Sequence, residues 1–255
     1  MTQPSSNIAV SVIINIYNGE RYLREALESV AAQTMKDFEV IAVDDASQDA
    51  TLRILKEWTV FPITIIHYAE KRGYVESLND SVAVAQGRFF ANLNVDDVWL
   101  PNKLATELHF FQAYPDLDVV YSDFRQLLPD GQILHSRSPD FRPDHRECFV
   151  NFSSSMARMS TLKSLGKEVF DPRWRYCTDW DLWCRLVNRK AKFMRIPEEL
   201  SILRVHGGQD TWKTQALVQH WLYYIRRNGF SARKTATIAR AILRGFKMRL
   251  ENLRI

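Results

Sequence analysis

Residues Ile8 to Ile16 form an apolar run rich in Val and Ile. A strand that is apolar at successive positions has to be buried on both faces. That happens where helices cover both sides of a parallel sheet. The segments after it keep the matching rhythm. A helix is expected from about Glu20 to Gln33, with Tyr22, Leu23, Ala26, Leu27 and Val30 on one side. Phe38–Val43 reads as the next strand. A helix then runs to about Trp58, with Leu52, Leu55 and Trp58 at helical spacing and Ser47 or Asp49 as its cap. Pro62 opens a strand over Ile63–His67. A helix from about Val75 to Ala85 stops at Gly87, read as a C-cap, and Phe89–Leu93 is a fourth strand. This order predicts an α/β protein with a Rossmann-like, mostly parallel sheet flanked by helices.

The second half is less regular. Leu117–Arg125 is a strand candidate and Asp130-Gly131 a hairpin turn. Residues 135 to 150, with Pro139 and Pro143, read as a loop over the site. Ser160–Leu165 is a short helix stopped by Gly166, and Asp179–Asn188 is a helix with Leu182, Trp183, Leu186 and Val187. Phe193–Arg204 is strand material broken at Pro197. The expected organisation is a first half over 1–117, a second half over 118–222 that shares its sheet, and a tail over 223–255.

Two acidic pairs close two of the strands. Asp44-Asp45 follows the second, and Asn94-Val95-Asp96-Asp97 follows the fourth. Adjacent carboxylates raise each other's pKa unless a cation or a donor network offsets them. A hard divalent ion with oxygen ligands would do so. Strand ends of open α/β sheets are also where ligands sit, which suggests one crevice holding both pairs. The plainer alternative is a pair of solvated turns with helix caps.

The chain has 255 residues, 46% hydrophobic and 25% charged, enough for one large domain or two fused small ones. Cys148, Cys177 and Cys184 form no CxxC pair, which fits a reducing compartment and carries no zinc signature. No apolar run approaches the ~18 residues of a membrane-spanning helix. The first seven residues lack a signal-peptide layout. A cytoplasmic protein is expected. The net charge of +4 is uneven. From His220 onward, nine Lys and Arg face the single acid Glu251, so the tail is strongly basic and the body mildly acidic.

Val10-Ser11-Val12-Ile13-Ile14-Asn15-Ile16-Tyr17-Asn18-Gly19-Glu20-Arg21-Tyr22-Leu23, then Phe38 to Asp49, Gly73 to Asn79, Gly87 and Asp96-Asp97 resemble in order the opening of family 2 glycosyltransferases. Thr178-Asp179-Trp180-Asp181-Leu182-Trp183 and Arg204-Val205-His206-Gly207-Gly208 resemble its C-terminal motifs. The resemblance covers about 8–212. It implies a GT-A fold, a nucleotide-sugar donor such as a UDP- or dTDP-sugar, Mg2+ or Mn2+, and inversion at the anomeric carbon. It also implies roles. Tyr17 and Asn18 would flank the base, Asp45 would bond its polar edge, and Arg72 would be a candidate for the diphosphate. Asp96 would contact ribose or sugar, and Asp97, with His206 as a further candidate, the metal. Asp179 would be the general base. Trp180 and Asp181 are weaker candidates for the acceptor side. Asp179 and Asp181 lie two apart on a helix and point about 200° from each other, so only one can face the site. Three positions depart from the family pattern: Asn94 where Asp is usual, Thr178 where Glu is usual, and Lys71 where Asn is frequent.

The glycan or lipid-linked acceptor is not named by these residues; synthesis of a cell-surface polysaccharide is the expected setting. From Arg233 to Arg254 the tail reads as an amphipathic helix. Ile238, Ala239, Ile242, Leu243, Phe246, Leu250 and Leu253 fall on an arc of about 140°, with Arg233, Arg240, Arg244, Lys247 and Arg254 opposite. Such a helix suits an anionic membrane surface through residues 230–255, on the inner face of the membrane, or packing against the enzyme body or a partner. No nucleic-acid motif accompanies the charge. A nicotinamide enzyme is disfavoured because no GxGxxG follows the first strand. A receiver-like signalling domain is disfavoured by the length and the late Asp179 and His206 motifs. The competing reading that Asn94 keeps open is a catalytically inactive nucleotide-sugar-binding protein.

Overall fold

The structure is a computed structural model and describes residues 8–141, 150–209 and 214–228. β1 (Val10–Ile16), β2 (Phe38–Asp44), β3 (Ile63–His67) and β4 (Phe89–Asn92) alternate with α1 (Leu23–Ala31), α2 (Thr51–Glu57) and α3 (Tyr74–Val84). These four strands pair in parallel in the order β3-β2-β1-β4. All of β1 is buried, its apolar residues together with Ser11 and Asn15. Its alternate residues feed two different layers. Val12, Ile14 and Ile16 pack with Leu23, Leu27 and Val30 of α1 and Leu55 of α2. Ile13 packs on the other face with Val75, Leu78 and Val82 of α3.

The chain continues as β5 (Val98–Trp99), α4 (Lys103–Ala113), β6 (Val119–Leu127), β7 (Ile133–Ser136), β8 (Ser155–Arg158), α5 (Met159–Lys163), α6 (Thr178–Asn188), β9 (Phe193–Arg204) and α7 (Thr214–Asn228). β8 and β6 extend the β4 edge antiparallel, β9 runs parallel to β6, and β5 closes the far edge against β9. One nine-stranded sheet therefore takes strands from both halves of the chain, with β7 attached to β6. The order β3-β2-β1-β4 reverses direction at β1. The carboxyl ends of β1 and β4 therefore flank a crevice.

Several expectations change in three dimensions. Phe193–Arg204 is one continuous strand, not two pieces. Pro197 and Glu198 sit in a bulge, because the β6 register jumps from Ser122↔Ile196 to Asp123↔Glu199. A residue without an N–H is tolerated where the ladder is already interrupted. The segment expected as a loop from residue 135 begins inside β7, which pairs with β6 across the Asp130-Gly131 turn. Residues 142–149, with Cys148, lie outside the described residues, as does the expected tail helix from Arg233 to Arg254. The expected tail boundary at 222/223 falls inside α7.

Gly87 is not a left-handed cap. α3 ends at Ala85 in extended backbone, two residues earlier. Gly87 is needed for a close approach instead. A Cβ on it would lie 2.4 Å from the Ser11 backbone nitrogen and 2.7 Å from Ser11 Oγ. Its N–H donates to Ser11 Oγ (2.9 Å) and Glu39 Oε1 (3.0 Å), which fastens the start of β4 to β1 and β2. Gly87→Ala drives a methyl group into main chain that cannot give way, and should cost at least the ~1–3 kcal/mol of ordinary overpacking. Urea denaturation beside Gly207→Ala, where no neighbour lies within 4 Å and no positive φ adds strain, checks this. A Gly87→Ala loss no larger than that of Gly207→Ala would exclude the close-approach reading.

Candidate active site

The fourth strand ends in the turn Asn94–Asp97, closed by the Asp97 N–H donating to the Asn94 carbonyl at 3.0 Å. β5 starts at the next residue and pairs at once with β9, Val98 opposite Ile202. That register delivers Arg204 to the acidic turn. The Arg204 main-chain N–H donates to Asp97 Oδ1 (3.1 Å) and its Nε to the Asp96 carbonyl (3.1 Å). Its Nη2 reaches Glu25 of α1 (2.6 Å). The other Asp97 oxygen, Oδ2, accepts from Ser153 Oγ (2.6 Å) and Asn94 Nδ2 (3.3 Å). Asp97 is thus buried and bonded on both oxygens. Burial first, then the Asp96 charge, pushes its carboxyl up to about 7 against the pull of those bonds.

Asp96 faces the other way. Its Oδ2 accepts from His206 Nε2 (3.0 Å) and Gln209 Nε2 (3.3 Å). The Gly208 N–H donates to His206 Nδ1 (3.2 Å), so the neutral ring carries its proton on Nε2 and points it at Asp96. Tyr22 lies against the imidazole with ring centroids 5.2 Å apart. A cavity of about 290 Å³ opens at the crevice. Asn15, Asn94, Asp96 and Phe152 line it from the sheet side, Arg175, Tyr176, Thr178 and Asp179 from the start of α6, and Gln209 and Ala216 from beyond β9. Asp96 and Asp179, 83 residues apart in sequence, share its wall. The negative charge gathered here also helps hold the Tyr74 hydroxyl above its ordinary range. Burial is the larger cause, followed by the Asp179 charge.

The remaining expected residues fall in three places. Tyr17, Asn18, Asp45 and Arg72 gather at the β1 and β2 ends, outside the cavity wall. Lys71 Nζ sits 3.0 Å over the exposed Tyr17 ring. Asn18, at φ 52°, accepts from the Gln48 N–H (2.8 Å) and ties the two loops together. The buried Asp45 carboxylate accepts main-chain N–H bonds from Arg72 (2.6 Å) and Gly73 (3.0 Å). The Arg72 guanidinium is turned to Asp80 (2.7 Å) and over Tyr68, away from the crevice. Asp44 does not join a shared acidic crevice. It is buried and bonded to His67 Nδ1 (2.9 Å).

Trp180 and Asp181 are not on the cavity wall either. Asp181 is buried rather than on a helix surface. Its oxygens take Arg185 Nε (2.6 Å) and the Tyr223 hydroxyl (3.2 Å), and burial raises its carboxyl. Trp180 packs on Tyr223 and stacks on His220, and Trp183 is core with its Nε1 bonded to the Val150 carbonyl. Only Asp179 of the two helix carboxylates meets the cavity, as the helical angle demands. The sequence reading missed Ser153, Tyr74, Asn15, Arg175 and Gln209. Only Asn15, a polar residue next to the end of a mostly apolar strand, carried a local signal.

Asn94 explains its own departure from the family pattern. Its Oδ1 accepts from the Tyr74 hydroxyl (3.3 Å) and Asn92 Nδ2 (3.0 Å) while its Nδ2 donates to Asp97. A carboxylate there would keep the acceptor and lose the donor, adding charge where Asp97 is already hard to ionise. In EDTA, Asn94→Asp should melt a few degrees below wild type, from a loss of roughly 1–3 kcal/mol. Added Mn2+ should narrow the gap. Equal melting temperatures in EDTA would remove this role from Asn94.

A model of glycosyl transferase family 2 matches residues 11–168, more than half of the chain. EpsE of Bacillus subtilis, provisionally described as a glycosyltransferase, is 36% identical over 218 residues, 83% of this chain and 78% of its own. A glycosyltransferase of Rickettsia typhi that is uncharacterised is 30% identical over 222 residues, 83% of this chain and 68% of its own. Among solved structures, S. aureus TarS residues 1–349 with UDP-GlcNAc aligns at TM-score 0.69 and 18% identity, over 93% of this chain and 72% of that one. A mannosyltransferase from Pyrobaculum calidifontis with GDP-Man and Mn2+ aligns at TM-score 0.66 and 20% identity, over 92% and 68%. The chain spans 43% of the length of the longer TarS chain it matches. At these identities the solved structures speak for the fold, which is GT-A. The chain belongs to the family 2 glycosyltransferases and is a glycosyltransferase.

Proposed function

We propose that the protein transfers a sugar from a UDP- or dTDP-sugar to a hydroxyl of a glycan or lipid-linked acceptor, with inversion at the anomeric carbon and with a divalent cation. The observation that carries this reading is the meeting of Asp96 and Asp179 on one cavity wall at the switch point of the sheet. Bound UDP and UDP-GlcNAc in TarS, and GDP-Man with Mn2+ in the mannosyltransferase, support a nucleotide-sugar donor.

The base of the nucleotide lies against Tyr17, in reach of the Asp45 and Asn18 loops, and the sugar enters the cavity. Asp179 accepts the proton of the acceptor hydroxyl as its oxygen attacks the anomeric carbon from the face opposite the diphosphate. The bond to the diphosphate breaks in the same step. Asp179 suits the task because it stands at the first turn of α6, facing the cavity, while its neighbour Asp181 is committed to Arg185 and Tyr223.

The residues fit a hard cation. Two adjacent carboxylates share the turn, and the Arg204 guanidinium reaches only the Asp96 carbonyl and Glu25 rather than either carboxylate. Asp96 would hold the ion, because Asp97 is enclosed and bonded on both oxygens. His206 would then orient Asp96 instead of ligating, and Asp97 would stay bonded to Ser153, Asn94 and Arg204. Among the described residues, no three His, Cys, Asp or Glu side chains converge as a metal site, and Asp96 is the side chain that would hold the ion. A cation held there would offset the charge on the departing diphosphate.

Asp179→Asn should lower kcat about a hundred- to ten-thousand-fold at saturating donor with an unchanged melting temperature. Asp181→Asn should do the reverse, lowering stability and sparing kcat. If Asp181→Asn proves the worse for turnover, the base assignment falls. Asp96→Ala and EDTA should each abolish turnover, and Mn2+ should rescue only the EDTA-treated wild type. Full turnover in EDTA would remove the metal from this reading. Turnover itself excludes an inactive binding protein.

Among the described residues, no helix is long and apolar enough to cross a membrane. The basic, apolar-arced tail supports docking on an anionic membrane at the cytoplasmic face, and α7 leads into it with Val218 and Leu222 exposed. In vesicle flotation, the full chain should float with anionic lipid, less so as salt rises, and a chain cut after 229 should not. Equal flotation of both would place the tail in the fold or a partner interface.

A further inference from the structure

Asn15 is the last polar residue of β1 before the crevice. It is 9% exposed and lines the cavity together with Asp96 and Asp179. Both ends of its amide, Nδ2 and Oδ1, are buried without a hydrogen-bond partner. One strand over, Asn92 Oδ1 is also buried without a partner, although its Nδ2 donates to Asn94. The parallel register Ile13↔Asn92 puts Asn15 on the same sheet face, two residues nearer the crevice. Buried amide groups left unpaired are costly and rare. Where such a group also lines a cavity, a partner from outside can complete its bonding.

The polarity of the unpaired atoms identifies that partner's chemistry. Phosphate oxygens only accept, so they could take the Asn15 N–H and would leave two carbonyl oxygens unmet. A cation could take the oxygens and would be repelled by the NH2 group. A hydroxyl or an acetamido group both donates and accepts, and meets an amide on both sides. Such groups belong to a sugar.

We infer that Asn15, backed by the buried Asn92, forms the floor on which the transferred sugar's hydroxyl or acetamido groups are read. The inference rests on the donor reading above and adds which part of the donor sits there. Ribose carries hydroxyls too, but the Tyr17 and Asp45 side assigned to the base lies outside this cavity. Asp179, which must face the anomeric carbon, lies inside it.

Asn15→Leu keeps the shape and removes both polar ends. Asn15→Ala serves as the second variant should Leu crowd the strand. Titration calorimetry with Mn2+ would compare UDP-GlcNAc, UDP-glucose and GDP-mannose with UDP and GDP. The sugar nucleotide that wild type binds should weaken roughly tenfold in either variant, the loss expected for one hydrogen-bonding group. The matching nucleoside diphosphate should bind as before. The ligand-free variants should melt at or above the wild-type temperature, because no native hydrogen bond is lost. Equal weakening of sugar nucleotide and diphosphate would assign Asn15 to ribose and overturn the inference. Unchanged binding of both, or a lower melting temperature with unchanged selectivity, would make Asn15 structural and overturn it too. If wild type binds none of the five ligands, the donor reading itself fails, and this inference with it.

Discussion

The pairing of two residues, Val98 and Trp99, with the end of β9 is the constraint on which the site depends. A two-residue strand has little stability of its own. It holds because β9 is anchored along β6 and because Arg204, at its end, bonds the Asp97 carboxylate, the Asp96 carbonyl and Glu25 of α1. With the turn clamped from both sides, the two carboxylates point differently. Asp97 goes inward to Ser153 and Asn94, and Asp96 goes outward to His206 and the cavity. Loss of the β5–β9 pairing would remove the geometry of both at once.

Polar groups in this region are held at different free-energy levels. Asp97 has a full complement of donors and still resists ionisation, because burial and Asp96 outweigh three hydrogen bonds. Asn15 has no partner at all. Asp181, on the side of α6 away from the cavity, is satisfied by Arg185 and Tyr223 and joins α6 to α7. Asn15 at the crevice and Asn92 just behind it both keep buried amide atoms without a partner. That is the pattern expected where ligand atoms complete the hydrogen bonding and the strain is tolerated for function.

The same contrast separates what could be read in advance from what could not. Strands β1 to β4 and helices α1 to α3 were legible because each buries a periodic apolar pattern against its neighbours in sequence. Gly87 was legible as punctuation and misread in kind. A glycine that ends a helix and a glycine that lets two strands touch look alike until Ser11, 76 residues away, is seen against it. Pro197 was misread for a similar reason, since a bulge can exist only against the neighbouring strand. Among the site residues, the helical angle said only that one of Asp179 and Asp181 faces the site, and the family resemblance pointed to Asp179. Which of them faces the cavity was decided by α7, whose Tyr223 and His220 claim the Asp181–Trp180 side.

The amino-acid sequence by itself determined the doubly covered parallel sheet, because a run of buried strand residues has no other place to go. It also determined the family, through motifs that stay in order along the chain. Tertiary structure alone decided which member of each acidic pair is available. Asp44 goes to His67, Asp45 to the Arg72 and Gly73 amides, Asp97 to Ser153 and Arg204, and Asp96 is left at the cavity. The reason is physical. A carboxylate's role depends on which donors surround it, and here most of those donors come from segments 23 to 107 residues away in sequence.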